Sequence, residues 1–209
     1  MKAFCGGLVR ILAIVGLISA TTAQLARAGS LQPATGVCSG QVFSQPFLPW
    51  LDPGKYTPAP GGALESTSGW TLSGGAKLVS GNESFRVHSS KDRYSLSLPS
   101  GSSATTKGMC VGTLYPTLRL FTVNSGSLLS TLKVEAIFPT ALGKLTVPVG
   151  VVAGAPTWQP TLPLAYLGNF TTLPLLTNGT TTFQFRFTPI GSGSGFRIDD
   201  VYVDPYKGR

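Results

Sequence analysis

Thr182-Phe183-Gln184-Phe185-Arg186-Phe187-Thr188 puts three phenylalanines on one side of an extended chain and only polar side chains on the other. A period of two is what a half-buried β-strand requires, because successive side chains leave opposite faces of a sheet. The same alternation runs from Thr131 to Phe138: Leu132, Val134, Ala136 and Phe138 share a face opposite Thr131, Lys133 and Glu135. Outward from these two runs, Ala76–Ser80, Tyr94–Leu98, Thr117–Asn124, Lys144–Val152 and Phe196–Val203 also read as strands, separated by Gly, Pro and Asn. No run of helical length beyond the N-terminus combines a 3.6-residue period with good helix formers. About ten short strands without helices predict an all-β, antiparallel β-sandwich or jelly roll.

Composition narrows the function. Charged residues make up 11 % of the 209, against an ordinary value of about 25 %. That is too few for the exposed faces of a helical bundle, and 42 % hydrophobic content is too high for a disordered chain. His88 is the single histidine, which excludes centres built from several imidazoles.

The N-terminus has the order of a secretory signal. Lys2 and Arg10 flank an apolar run, Ile11 to Ala20, and Ala26-Arg27-Ala28 supplies a small-x-small cleavage motif. Residues 1–28 are therefore expected to leave, giving a secreted chain with no transmembrane segment. Cys5 departs with them, and Cys38 and Cys110 remain to pair in an oxidising compartment. Three of the 16 basic residues belong to the signal, which leaves 13 against 8 acids. These are scattered singly, without the clustered footprint of a nucleic-acid binder. Residues 29–62, rich in proline at Pro46, Pro49, Pro53, Pro58 and Pro60, read as an extended segment lying over a sandwich domain at 63–209.

Few motifs carry chemistry. A Ser-His-Asp arrangement has only His88 to use, with Asp92 four residues on, and His88 reads as a strand-end surface residue. Gly191 to Gly195 alternates Gly and Ser between two strands and reads as a hairpin connection. The adjacent Asp199 and Asp200 stand out, because a strand sends one of two neighbours toward the core. That residue is Asp199 if Val201 and Val203 point inward, and Asp200 if Ile198 and Tyr202 do. A core-side carboxylate needs compensation, either from an arginine such as Arg86, Arg119 or Arg186, or from a hard ion such as calcium.

For a sugar ligand, exposed aromatic faces and convergent polar groups are the requirement. Trp158, Tyr166 and Tyr115 near loops, with Trp50 and Tyr56 in the proline-rich segment, are the aromatic candidates. Arg119 and Arg186, with Lys133, Glu135 and Gln184, form the candidate polar patch. The plainer reading has Trp50 and Trp158 plugging the sandwich ends, with the polar residues on a solvated face.

Gly62-Ala63-Leu64-Glu65 followed by Gly69-Trp70, and the closing Ile198-Asp199-Asp200-Val201, resemble galactose-binding-like jelly rolls. That group includes many carbohydrate-binding modules and the MAM-type adhesion domains. The chain is also similar to secreted bacterial proteins closing on Asp199-Asp200-Val201-Tyr202-Val203-Asp204-Pro205-Tyr206. The resemblance implies a structural calcium held by Glu65, the Gly81-Asn82 turn and Asp199 or Asp200. It also implies a non-catalytic module for carbohydrate or cell-envelope polysaccharide. The alternative is a structural or adhesive extracellular protein that acts through protein contacts and binds no sugar.

Overall fold

Thirteen strands and one 3-10 turn, Leu48–Trp50, are present among the described residues, which in this computed structural model are Cys38, 40–112, 116–140, 143–165 and 180–206. In chain order the strands are β1 (Thr57–Pro58), β2 (Trp70–Ser73), β3 (Lys77–Ser80), β4 (Tyr94–Pro99), β5 (Ser103–Thr106), β6 (Met109–Gly112) and β7 (Thr117–Asn124). They continue with β8 (Thr131–Thr140), β9 (Gly143–Ala153), β10 (Gln159–Pro160), β11 (Leu164–Ala165), β12 (Thr180–Ile190) and β13 (Gly195–Asp204). The seven strands expected from alternation and turn spacing are all present. The five bounded runs end within one residue of their expected limits. The chain adds the four-residue β2, β5 and β6 and the two-residue β1, β10 and β11, all too short to carry a readable period.

All pairings are antiparallel. One sheet has the order β10-β7-β13-β4-β3, with β1 on β13 and β11 on β7. The other has the order β2-β5-β12-β8-β9, with β6 on β12. The chain crosses repeatedly between the two sheets, and the molecule is an antiparallel β-sandwich.

Alternation decides what fills it. Phe183, Phe185 and Phe187 of β12 and Leu132, Val134, Ala136 and Phe138 of β8 point into the same core as Leu118 and Leu120 of β7 and Phe196 and Ile198 of β13. Burying each such large side chain contributes about 1.5–3 kcal/mol. The opposite face of β12 and β8 stays wet: Lys133 and Arg186 both pair with Glu135, at 3.0 and 2.9 Å.

The outer face of the seven-stranded sheet is not wet throughout. Phe121 of β7 and Tyr202 of β13 point away from the main core and are buried by Phe47 and Tyr56, which arrive from the proline-rich segment. Phe47 stacks on Phe121 with ring centroids 5.6 Å apart and meets Tyr56 edge-on at 5.1 Å. The segment then enters the sheet itself: Thr57 and Pro58 pair with Val203 and Tyr202, and Ala59 lies in the main core. The sandwich therefore begins at Thr57, not at 63, because an edge position on β13 tolerates Pro58. Cys38 and Cys110 form a disulfide, Cα atoms 5.3 Å apart, that fastens the start of the segment to β6 of the other sheet.

Candidate functional site

β13 changes partner along its length, and the site lies at the change. Its first half, Gly195 to Ile198, pairs with β4; its end, Tyr202 and Val203, pairs with β1. Between them the register against β7 shifts, with Asp199 opposite Phe121 and Tyr202 opposite Arg119. Two residues, Asp200 and Val201, thus face one, and Asp200 takes a left-handed φ of 45°. Aspartate is among the few non-glycine residues that adopt this conformation without large strain. The bulge breaks the alternation, and both Asp199 and Asp200 are fully buried. The expectation of one core-side and one outward acid is corrected: Asp199 shares the outer face with Phe121 opposite it, and the loop joining β3 to β4 covers both acids.

Backbone N–H groups, not an arginine, compensate the pair. The loop joining β3 to β4 lies against the gap: Glu83 N–H donates to Asp199 Oδ2 at 2.8 Å, and His88 N–H donates to Asp200 Oδ2 at 2.9 Å. Asp200 N–H also donates to Asp199 Oδ1 at 2.9 Å. Glu83 is buried as well, and its carboxylate accepts the N–H groups of Phe85 and Val87. The arginines weighed from sequence are committed elsewhere. Arg86 donates to Ser90 O, Arg119 pairs with Asp52, and Arg186 pairs with Glu135. Burial pushes Asp199 up to about 8 and Asp200 to about 7, against the pull of the Glu83 and His88 N–H groups. Neighbouring acids reinforce the rise: Asp200 and Glu83 for Asp199, Glu83 and Asp92 for Asp200.

The residues of the ligand set implied by the resemblance already carry protein partners. Glu65 Oε1 accepts the N–H groups of Arg93 and Tyr94. The Gly81 carbonyl accepts from Ser95 Oγ and from Arg197 Nη2, so a guanidinium already sits on it. Among the described residues, the group of three acid, His or Cys side chains whose ligand atoms all lie within 4.8 Å of one another is His88, Asp92 and Asp200. His88 Nδ1 and Asp92 Oδ2 are 2.7 Å apart. Asn82 Oδ1 and Asp200 Oδ1 are buried without a hydrogen-bond partner. Sequence reading had paired His88 with Asp92 and set the pair aside, since nothing in it signalled that a bulge 112 residues away would deliver Asp200 to them.

The ligand-binding residues also part company. Trp158 is half-buried at the outer face of the seven-stranded sheet, with the Arg197 guanidinium 5.6 Å from its ring centre. Arg119 is buried under the same face, its Nη1 2.7 Å from Asp52 Oδ2 and its guanidinium 4.2 Å from the Phe47 ring centre. Arg186, with Lys133, Glu135 and Gln184, belongs to the other sheet, so no single polar patch unites them. Tyr115 and Tyr166 lie outside the described residues. Sequence reading missed Phe85, which sits 5.0 Å from Trp50 and 5.5 Å from Phe121 and is 43 % exposed. Trp50, Phe85 and Trp158 thus surround the buried aromatic cluster from its solvent side.

No protein-family model matches the chain, and no curated protein does. Solved structures with a similar course of the chain include TmCBM61 in complex with β-1,4-galactotriose, at 15 % identity and TM-score 0.43, over 69 % of this chain and 93 % of that one. The CBM22-1 xylan-binding domain from Paenibacillus barcinonensis Xyn10C gives 14 % identity and TM-score 0.46, over 69 % and 90 %. The enzymatically active domain of tailspike protein 4 from bacteriophage CBA120 gives 19 % and 0.41, over 69 % and 20 %. With every one of these TM-scores below 0.5, the sandwich rests on this chain's own strand pairing. What those proteins bind or catalyse is theirs. Among the described residues no helix is long and apolar enough to cross a membrane.

Proposed function

We propose that this chain is a secreted, non-catalytic module that binds carbohydrate, with polysaccharide or cell-envelope glycan as the ligand class. The observation that carries the reading is the set of half-exposed rings, Trp50, Phe85 and Trp158, seated around buried Phe121 on the outer face of the seven-stranded sheet. Sugar rings present apolar C–H faces that pack on aromatic rings, while a few polar groups fix orientation. Arg197 keeps Trp158 in place, because its own guanidinium is anchored on Ser80 O, Gly81 O and Ser95 Oγ. The platform is therefore built before any ligand arrives, which lowers the ordering cost of binding. Export is supported by the signal-like N-terminus and suits a chain closed by a Cys38–Cys110 bridge.

The test is a glycan array probed with the mature chain and with Trp158→Ala. At least one polysaccharide should be retained, and the variant should bind it about tenfold or more weakly, the loss of one aromatic contact of about 1.4 kcal/mol. A second reading, an adhesive protein that acts through protein contacts, draws on Leu128 and Leu129, 66 % and 94 % exposed between β7 and β8. No glycan retained, together with concentration-dependent self-association, would replace the first reading by the second.

A further inference from the structure

We propose that His88, Asp92 and Asp200 hold a divalent transition-metal ion, zinc being the simplest case, beside the β13 bulge. One ligand atom from each lies within 4.8 Å of the other two. A four-coordinate zinc with bonds of about 2.0–2.1 Å needs its ligands roughly 3.3 Å apart. Metal binding therefore requires the present 2.7 Å contact between His88, which is 40 % exposed, and Asp92 to open to that spacing. The ion takes the place of any proton on Nδ1, which passes to solvent.

A second observation is independent of the cluster's shape. Asp200 is fully buried, yet its Oδ1 has no hydrogen-bond partner. Leaving a buried carboxylate oxygen unpaired is costly, and a cation at that atom removes the cost. The ion pairs of the described residues give Glu83, Asp199 and Asp200 no lysine or arginine, and Asp92 has only His88.

The donor set selects the metal. Calcium takes six to eight oxygen ligands, whereas one imidazole with two carboxylates is a set suited to zinc, nickel or iron. Three protein ligands leave a fourth position, which faces water on the side of the exposed His88. The inference is independent of the carbohydrate reading.

His88 is the only imidazole of the chain, so its removal reads this site alone. The mature chain, carrying no histidine tag and stripped with EDTA until free of metal, is titrated first with zinc chloride and separately with calcium chloride. Zinc at a hundredfold excess over its Kd should raise the Tm by about 5–10 °C. His88→Gln keeps a side-chain donor for Asp92, so its metal-free Tm should lie at or a few degrees below the parent's, and it should lose the zinc response. Cobalt(II) should give visible absorption bands in the parent chain and none in His88→Gln. The proposal is overturned if zinc gives no shift, or if its shift survives His88→Gln. It is equally overturned if calcium gives the larger shift and does so without His88, which returns the site to oxygen ligands.

Discussion

The Asp52 carboxylate accepts from three donors at once: the Tyr56 hydroxyl at 2.8 Å, the Gly54 N–H at 3.0 Å and Arg119 Nη1 at 2.7 Å. Burial alone would raise its pKa, but these donors outweigh burial and hold the carboxyl below its ordinary 3.8. As pH falls, the unfolded chain takes up this proton first. The contribution of Asp52 to stability is therefore whole above 3.8 and is lost as pH drops through the lower folded value. Asp52→Asn should cost about 2 kcal/mol near neutral pH, with the deficit shrinking well below pH 3.8. Urea unfolding of both proteins at the two pH values measures it, and an unchanged deficit in acid would assign the loss to packing instead. Arg119 looked like a ligand residue because sequence gives its charge and its place on a strand. The partner 67 residues earlier, and the phenylalanine ring beneath the guanidinium, belong to tertiary structure.

The proline-rich segment works as a third layer on one sheet. Phe47 at its centre is fully buried against Phe121, Tyr56 and Tyr202. Phe47→Ala should destabilise the chain by about 3–5 kcal/mol and uncover Phe121. Calorimetric unfolding gives the size of the loss, and a cost below about 1 kcal/mol would show that the layer is dispensable. Most strands were legible because alternation is local: Leu132 to Phe138 and Phe183 to Phe187 name their own buried face. The bulge at Asp200 was not, since a period of two has no symbol for an inserted residue. Its trace in the sequence is the Asp-Asp doublet, which by alternation predicts one core-side acid and not that both are enclosed. The place of Glu83 is equally non-local: its carboxylate is used up by the N–H groups of its own loop, and only the folded turn brings them to it.

At the scale of the whole molecule, the disulfide and β1 hold the segment at its two ends, one to each sheet. Closing residues 72 apart restricts the unfolded chain by about 4 kcal/mol in the entropic model. Replacing both Cys38 and Cys110 with serine should lower stability by that order, and reductant should then have no further effect on unfolding. A loss below about 1 kcal/mol would show that β1 and the Phe47 cluster hold the segment without the bridge. The central place of β13, between β7 on one side and β4 and β1 on the other, also sets a timetable. β13 is the last of the described strands in chain order, so β1 has no partner strand until residue 204 has emerged. A ribosome that stopped ten residues short of β13's end would release β4 and β7 with an empty place between them.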